Sequence, residues 1–357
     1  MPSVFYLGAT GYIGGVLFLL FPPAPMYPLI FLMILAGSVL VSLVKRHPSW
    51  TVNALVRNEK NIEPVRRLGV TVVEGSFADK ALITEQSRTA DIVFNVADCD
   101  DTSLTTAILD GMKQRFHEGK PKGILIHTSG CAIFLNDNPD GNLDHDCRLW
   151  NDSNEEDMKS ITTSQMHGQV DVPIFKAGEE GYVDAYILCP SGVVGAPPAD
   201  VPVNGGTIFL KIMAQGYLKA KSGIYVGEGT NRTQLVHIDD LVDYYMRVTD
   251  VAANRKDAGA SPYARYFIVT TQEIPWKNIV NIVTEELHRH NLLESATPVS
   301  VTVPEFESYV AYAPIFSADI CIATRRGEGL GWKPRHLGLV DEIRENMKAV
   351  VDAVAMH

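Results

Sequence analysis

A glycine-rich turn directly behind the first apolar segment is the feature that most constrains the fold of this chain. Ser3–Leu7 is short, apolar and rich in β-branched or aromatic residues, which predicts a buried strand. A helical pattern follows the turn, and glycines at this spacing let backbone N–H groups approach a pyrophosphate at a helix N-terminus. The sequence therefore predicts a dinucleotide site at Gly8, Thr10, Gly11, Tyr12, Ile13 and Gly14.

The second anchor of such a site is a residue at the end of the second strand, about 20 positions further on. The second strand is predicted at Thr51–Val56, so this residue is Arg57, which stands 43 positions after Gly14. Removing the 22 residues Val16–Gly37 restores a spacing of 21 and leaves one continuous amphipathic helix behind the turn. Spacing and helix pattern both mark Val16–Gly37 as an insertion.

Three explanations compete for this insertion. The chain has no Asp, Glu, Lys or Arg before Lys45, and the apolar run Leu29–Val44 with its positive flank is typical of a membrane anchor. A hydrophobic loop packed against the protein is the second explanation. We favour the third, a retained intron translated in frame, because an anchor would separate the first helix from the glycine turn and four prolines would break its first half.

The residue type at position 57 bears on the choice of cofactor. An NAD site usually carries Asp or Glu here, which accepts a hydrogen bond from the ribose 2′-hydroxyl, whereas an arginine suits a 2′-phosphate. Arg57 therefore favours NADP. NAD stays open as an alternative, because a solvated surface arginine would look the same in the sequence.

The composition narrows the partners and the compartment. The net charge of −11 argues against a nucleic-acid partner, which would favour a basic patch. Five scattered cysteines without a Cys-x-x-Cys spacing indicate reduced thiols and a cytoplasmic protein, with membrane contact only if Val16–Gly37 is a real anchor. No zinc-ligand spacing, P-loop or nucleophile elbow occurs, so no metal is predicted.

Strand and helix patterns alternate along most of the chain, which predicts an α/β, Rossmann-type doubly wound parallel sheet. Further strands are predicted at Val70–Glu74, Asp91–Asn95, Gly123–His127, Asp184–Leu188 and Tyr266–Thr270. Helices are predicted at Ile62–Leu68, Lys80–Ser87, Ser103–His117, Met166–Glu180, Ile238–Asp250 and Leu339–Val354. The predicted division is a Rossmann domain at 1–195 and 237–270, a smaller substrate-binding cap at 196–236 and 271–335, and a C-terminal helix at 336–357.

Several segments in order resemble the short-chain dehydrogenase/reductase superfamily in its extended or atypical branch, including the epimerase/dehydratase-like and NmrA-like proteins. They are Gly8–Gly14, Val72–Asp79, Phe94–Asp98, Ile124–Gly130, Tyr186–Gly195, Leu235–Tyr245 and Leu330–Pro334. The resemblance implies that Ser76 and Phe77 border the adenine, that Asn95, Val96 and Ala97 pass beneath the cofactor, and that Pro190, Ser191 and Val193 lie near the nicotinamide. It assigns His237 and Asp239 to a segment that supports the domain junction.

The catalytic residues depart from the pattern of this family, whose chemistry uses a Ser or Thr, a Tyr and a Lys. Ser129 matches the serine, but no Tyr-x-x-x-Lys pair stands between Ser129 and Pro190. The register instead aligns His167 with the tyrosine and Asp171 with the lysine, and at i, i+4 on one helix face Asp171 would orient or charge His167. Tyr217-x-x-x-Lys221 fits the motif but comes too late in the chain.

These features predict an NADP(H)-dependent oxidoreductase or epimerase-like enzyme that acts on a small carbonyl or hydroxyl compound, with Ser129, His167 and Asp171 as catalytic residues. The missing Tyr-x-x-x-Lys pair keeps a second hypothesis open, a non-catalytic, cofactor-sensing regulator of the NmrA-like kind. A membrane-anchored form of either is the third hypothesis. The sequence predicts neither the substrate nor the oligomeric state.

Overall fold

The structure, a computed structural model, describes residues 1–9, 33–196 and 207–355. The predicted cofactor contacts Thr10, Gly11, Tyr12, Ile13 and Gly14 and residues 16–32 of the insertion lie outside the described residues. Residues 33–37, the end of the insertion, belong to the first described helix. No helix within these three described ranges is long and apolar enough to cross a membrane.

Strands and helices alternate through the described chain. The strands are β1 Ser3–Leu7, β2 Thr51–Val56, β3 Thr71–Glu74, β4 Ile92–Asn95, β5 Gly123–Thr128, β6 Trp150–Asn151, β7 Val183–Pro190, β8 Gly192–Val194, β9 Ile224–Val226, β10 Arg232–His237, β11 Tyr266–Val269, β12 Gln272–Pro275, β13 Val299–Val301 and β14 Ile322–Ala323. The helices are α1 Met33–Arg46, α2 Ile62–Arg66, α3 Lys80–Thr89, α4 Thr102–His117, α5 Glu155–Lys159, α6 Gly168–Glu180, α7 Ile208–Ala220, α8 Ile238–Ala253, α9 Trp276–Arg289, α10 Val303–Tyr309, α11 Ala313–Ser317, α12 Arg326–Gly329 and α13 Val340–Ala355.

The seven predicted strands form one parallel sheet in the order β11-β7-β5-β4-β1-β2-β3. Every residue of β4 and β5 is buried, because helices cover both faces of the sheet. Helices α1 and α8 supply apolar side chains to the core on one face, and α3, α4 and α6 supply those on the other. The predicted Rossmann-type fold is therefore confirmed.

The order of the strands reverses between β1 and β4. The chain runs outward from β1 through β2 to β3, then returns to β4 and continues outward through β5 and β7 to β11. Ligands of such open sheets bind in the crevice at the carboxyl ends of the strands at this reversal. The residues that follow β1, β2, β4, β5 and β7 are therefore the ones that can line a site.

Helices α7, α9, α10, α11 and α13 lie outside the central sheet and share a separate apolar core. A small sheet of β8, β10 and β12 lies beside them, with β8 beginning two residues after β7 ends. The helices and the small sheet occupy most of the segments that the sequence assigns to the cap and the C-terminal helix. Because β8 follows β7 so closely, the small sheet begins next to the carboxyl end of β7.

Candidate active site

Gly8 makes a turn that no other residue fits without strain. Its φ is +105°, and a Cβ built on it would lie 2.8 Å from the carbonyl oxygen of Val96 and 3.1 Å from the Cα of Ala97. The Val96 N–H donates to the carbonyl of Leu7 at 3.2 Å, which holds the two strand ends together. The segment after β4 thus passes directly against the turn after β1, where the sequence predicts the cofactor to lie.

Arg57 is exposed directly after β2 and makes no hydrogen bond or ion pair with any described residue. The next residue, Asn58, accepts from the Lys60 N–H and caps a 3-10 turn at Glu59–Asn61. The Ser76 N–H donates to Asp79 at 2.6 Å, and Phe77 packs against the core of the sheet. Arg57 is therefore a cation at the carboxyl edge of the sheet that has no partner among the described residues.

The segment after β7 closes the other side of the crevice. Pro190 is the last residue of β7 and is buried, and the Ser191 N–H donates to the carbonyl of Val269 at 3.0 Å. The buried Ser191 hydroxyl has no hydrogen-bond partner in the described part of the chain. Val193 lies in β8 opposite Val236 and packs against the sheet core.

Asn95, the last residue of β4, is buried and its side chain organises the turn beside it. Its Oδ1 accepts from the Ala97 N–H at 3.3 Å, which places Nδ2 as the donor to the carbonyl of Asp98 at 3.2 Å. The same Nδ2 lies 3.1 Å from Nδ1 of His127. Asn95 therefore links the loop beneath the predicted cofactor site to the end of β5.

Asp98, in the same loop, is a carboxyl that resists ionisation. Burial raises its pKa to about 6, although its Oδ1 accepts from the backbone N–H groups of Asp100 and Asp101 at 2.8 and 3.0 Å. Asp98 therefore holds its proton to higher pH in the native state than in the unfolded chain, where the pKa is about 3.9. Its contribution to the free energy of unfolding is therefore fully present below about pH 4, and it is lost as the pH rises through about 6.

We expect Asp98→Asn to remove this fall, because the amide oxygen keeps both backbone contacts and carries no charge. The free energy of unfolding of the variant minus that of the wild type should increase by on the order of 2 kcal/mol from pH 4 to pH 7. Urea denaturation at both pH values measures this difference, and exposed Asp110→Asn is the control. Equal pH dependence in wild type and Asp98→Asn would contradict the prediction.

A buried polar cluster surrounds Asp171 of α6, between the end of β5 and the start of β11. The Ser129 hydroxyl donates to Oδ2 of Asp171 at 2.7 Å, and the Tyr266 hydroxyl donates to the same oxygen at 3.2 Å. Nε2 of His127 faces the other carboxylate oxygen at 3.5 Å. Asp171 and His127 are fully buried; Asp171 accepts two hydrogen bonds on Oδ2, while its Oδ1 and Nε2 of His127 have no hydrogen-bond partner among the described residues.

His167 does not pair with Asp171, and the predicted orientation of one by the other is wrong. Nδ1 of His167 lies 2.9 Å from Oδ1 of Asp100 instead. The reason is that α6 begins at Gly168: His167 precedes the helix in a left-handed conformation with φ +64°, so the i, i+4 rule does not place the two side chains together. Asp100, 67 residues away, supplies the carboxylate.

The free nitrogen of His167 points into the site. Nε2 is buried and has no hydrogen-bond partner among the residues that the structure describes. A Cβ built on Gly130, the residue after Ser129, would lie 3.0 Å from it. Nε2 of His167 therefore lies beside the segment that carries Ser129, and these two residues define the wall of the predicted site.

The wall is acidic. None of Asp98, Asp100, Asp171 and His167 forms an ion pair or hydrogen bond with a lysine or arginine in the described ranges. The pKa of Tyr312 is raised by burial and by the charge of Asp100, so its phenol stands in the same electrostatic environment. Cys99, Asp100 and His167 also bring three atoms that could ligate a metal within 4.8 Å of one another, a grouping that the sequence spacing does not predict.

Three residues of this site escape the sequence analysis: Asp100, His127 and Tyr266. Each stands in a different segment, and no local spacing connects it to His167 or Asp171. A signal exists only for Asp100, because it belongs to the acidic run Asp98-Cys99-Asp100-Asp101 directly after a buried strand. His127 and Tyr266 read as ordinary strand residues.

Comparison with known proteins supports the fold at low sequence identity. No protein-family model matches the chain. The oxidase ucsJ of Acremonium sp. is 24% identical over 356 residues, which cover 96% of this chain and 95% of that protein. An uncharacterized protein of Saccharomyces cerevisiae is 29% identical over 158 residues, 42% of this chain and 46% of that protein.

Solved structures resemble the chain over nearly its whole length. The dTDP-glucose 4,6-dehydratase of Bacillus anthracis, solved in complex with NAD, has a TM-score of 0.60 at 12% identity and covers 99% of this chain and 97% of its own. Vestitone reductase from alfalfa has a TM-score of 0.57 at 13% identity and covers 100% of both chains. The chain has the fold of the extended short-chain dehydrogenase/reductase enzymes, as predicted.

Proposed function

We propose that this protein is an NADP(H)-dependent oxidoreductase or epimerase-like enzyme that acts on a small carbonyl or hydroxyl compound. The observation that carries the proposal is His167: its Nδ1 lies 2.9 Å from Asp100, and its Nε2 is buried, beside Gly130 and without a partner among the described residues. A histidine fixed by a carboxylate is a group that can accept or deliver a proton near neutral pH. In this proposal His167 takes the part that a tyrosine plays in the family that the sequence resembles.

The residues around the strand reversal fit a nicotinamide dinucleotide. Gly8 leaves room at the first turn that a side chain would fill, and Arg57, which has no partner among the described residues, stands at the position that would meet the ribose. Ser191 adds a buried hydroxyl without a partner on the nicotinamide side. The bound cofactor would supply a hydride acceptor or donor for the substrate carbon. The dTDP-glucose dehydratase with this fold contains NAD, which agrees with this cofactor class.

The protein groups have separate tasks in this proposal. His167 moves the proton on the substrate oxygen or nitrogen, and Asp100 keeps its imidazole in one orientation. Ser129 contacts the reacting group, and Asp171 is reassigned from partner of His167 to partner of Ser129. Asp171 and Asp100 are thus positioning residues.

Arg57→Asp should reverse the cofactor preference, because a carboxylate repels the 2′-phosphate and accepts from a 2′-hydroxyl. We expect NADPH affinity to fall about 100-fold and NADH affinity to rise, on the scale of a lost charge-assisted contact of about 3 kcal/mol. Fluorescence titration of both nucleotides measures this. Arg67→Asp, the same charge change at an exposed residue beyond α2, is the control. Unchanged NADPH affinity in Arg57→Asp would count against NADP.

The missing Tyr-x-x-x-Lys pair favours one alternative, a cofactor-sensing regulator without catalysis. The two functions differ in turnover: the enzyme should exchange hydride between NADP(H) and some member of a panel of small carbonyl and hydroxyl compounds. Tight NADPH binding with no turnover on the whole panel would favour the regulator. Loss of turnover in Ser129→Ala with NADPH affinity retained would favour the enzyme.

A further inference from the structure

We propose that the site binds its substrate as a hydrogen-bond donor and oxidises it: the reacting carbon carries an N–H or O–H group, and amines fit better than alcohols. This inference rests on the proposed function and adds a substrate class and a direction to it. It follows from the positions of the hydrogen atoms on Ser129 and His167. These positions can be assigned one after another from the hydrogen-bond network.

The assignment begins at Asn95. Because its Oδ1 accepts from the Ala97 N–H at 3.3 Å, its Nδ2 is the group that faces His127 at 3.1 Å. An amide nitrogen is only a donor, so Nδ1 of His127 is an acceptor and the hydrogen of the neutral ring is on Nε2. Nε2 lies 3.5 Å from Oδ1 of Asp171 without forming a hydrogen bond to it.

Asp171 receives two donors on one oxygen, and its Oδ1 has no hydrogen-bond partner among the described residues. Its Oδ2 accepts from the Tyr266 hydroxyl at 3.2 Å and from Ser129 at 2.7 Å, while Oδ1 faces His127. A carboxylate in this position has no hydrogen to give. The single hydrogen of the Ser129 hydroxyl is therefore directed to Asp171, and Oγ presents only lone pairs to a ligand.

His167 presents a second lone pair. With its Nδ1–H donated to Asp100 at 2.9 Å, the neutral ring has an unprotonated Nε2, which is buried and without a partner in the described chain. Nε2 lies next to Gly130, the neighbour of Ser129. Two acceptors thus belong to adjoining segments, at the positions where a serine and a tyrosine would both donate to a carbonyl oxygen in the family that the sequence resembles.

A ligand that only accepts hydrogen bonds meets this wall poorly. A carbonyl or ether oxygen would leave both buried acceptors unmatched, whereas an alcohol satisfies one of them and an amine nitrogen satisfies both. The carboxylates of Asp100 and Asp171, which pair with no lysine or arginine in the described part of the chain, also favour a neutral or cationic ligand over an anionic one.

The same arrangement determines the direction of proton transfer. Nε2 of His167 takes the proton of the substrate O–H or N–H, and the hydride leaves the carbon with its electron pair for the oxidised nicotinamide, the named oxidant. The carbon–oxygen or carbon–nitrogen double bond forms from the electrons of the broken O–H or N–H bond. Asp100, 2.9 Å from Nδ1, stabilises the imidazolium until its proton reaches solvent.

Three small ring compounds test the donor preference on the NADPH-loaded full chain, because none of them reacts with NADPH. Tetrahydropyran offers only an acceptor, cyclohexanol offers one donor, and cyclohexylamine offers more than one. We expect dissociation constants from ligand-detected NMR at pH 7 to fall about tenfold from the ether to the alcohol and at least about tenfold again to the amine, the scale of one unmatched buried acceptor.

Ser129→Ala is the matched variant, because it removes one acceptor from the wall and leaves His167 in place. We expect the preference for the amine over the alcohol to shrink about tenfold in this variant, the remainder being the attraction of the ammonium to Asp100 and Asp171, while the preference for the alcohol over the ether stays. Ether binding as tight as that of the donors, an unchanged amine preference in Ser129→Ala, or no millimolar binding of either donor would overturn the inference. A separate NADPH titration distinguishes failure of this inference from failure of the proposed function. If the wild type does not bind NADPH, the proposed function is contradicted as well.

Discussion

Gly8→Ala is expected to abolish measurable NADPH binding and to lower the free energy of unfolding by about 3 kcal/mol. Two effects add at this position. An alanine is strained at φ +105°, and its Cβ would stand 2.8 Å from the carbonyl oxygen of Val96, a backbone atom that cannot move aside alone. The segment after β4 must shift, and it carries Val96 and Ala97, which the sequence places beneath the cofactor. Urea denaturation and NADPH fluorescence titration measure the two results.

Gly69→Ala is the matched control for the conformational part of this effect. Gly69 has φ +84°, and nothing lies within 4 Å of a Cβ built on it. We expect a loss of about 1 kcal/mol in free energy of unfolding from backbone strain, with NADPH affinity unchanged. If Gly8→Ala bound NADPH like the wild type, the turn after β1 would not be the cofactor turn.

His167→Asn should lower kcat by a factor of about 100 to 10,000, the range that positioned proton transfer contributes, with NADPH affinity unchanged. Asparagine is chosen for two reasons. It tolerates the left-handed φ of +64° better than most residues, and its amide nitrogen can replace Nδ1 as the donor to Asp100. The substitution therefore removes Nε2, the proposed acid or base, and keeps the contact with Asp100.

The measurement is the steady-state rate on any substrate that the panel identifies, together with the melting temperature and the NADPH dissociation constant. His145→Asn, the same change at an exposed histidine, should leave all three values unchanged. A kcat within about twofold of the wild type in His167→Asn would exclude His167 as the acid or base. A loss of rate that follows a loss of NADPH binding would point to a structural role instead.

Much of the fold could be predicted from the sequence, because its signals are local. Ser3–Leu7 and Thr51–Val56 were bounded correctly from runs of apolar and β-branched residues, and the other predicted strands of the sheet differ from the structure by one or two residues at their ends. Gly8 could be singled out because a tight turn between a strand and a helix needs a glycine, and the structure shows the positive φ and the close backbone approach.

The site could be predicted only in part. The position of Ser129 at the end of β5 follows from the strand pattern. His167, which directly precedes α6, follows from the register of the family motif. The predicted pairing of His167 with Asp171 assumes a helix over both residues. The helix begins at Gly168, one residue after His167, so the pairing does not form. Helix boundaries are the least local of these signals, since capping and tertiary contacts decide them.

The sequence by itself thus determined the parallel sheet, the turn at Gly8, the cation after β2 and the residues that stand at the strand ends. Periodicity and glycine spacing encode these features within a few residues of chain. Only the tertiary structure decided which side chains meet at those ends: it brought Asp100 to His167, and His127 and Tyr266 to Asp171, across separations of up to 95 residues. The physical reason is that hydrogen-bond direction inside a buried cluster depends on every neighbour at once, and those neighbours come from different strands.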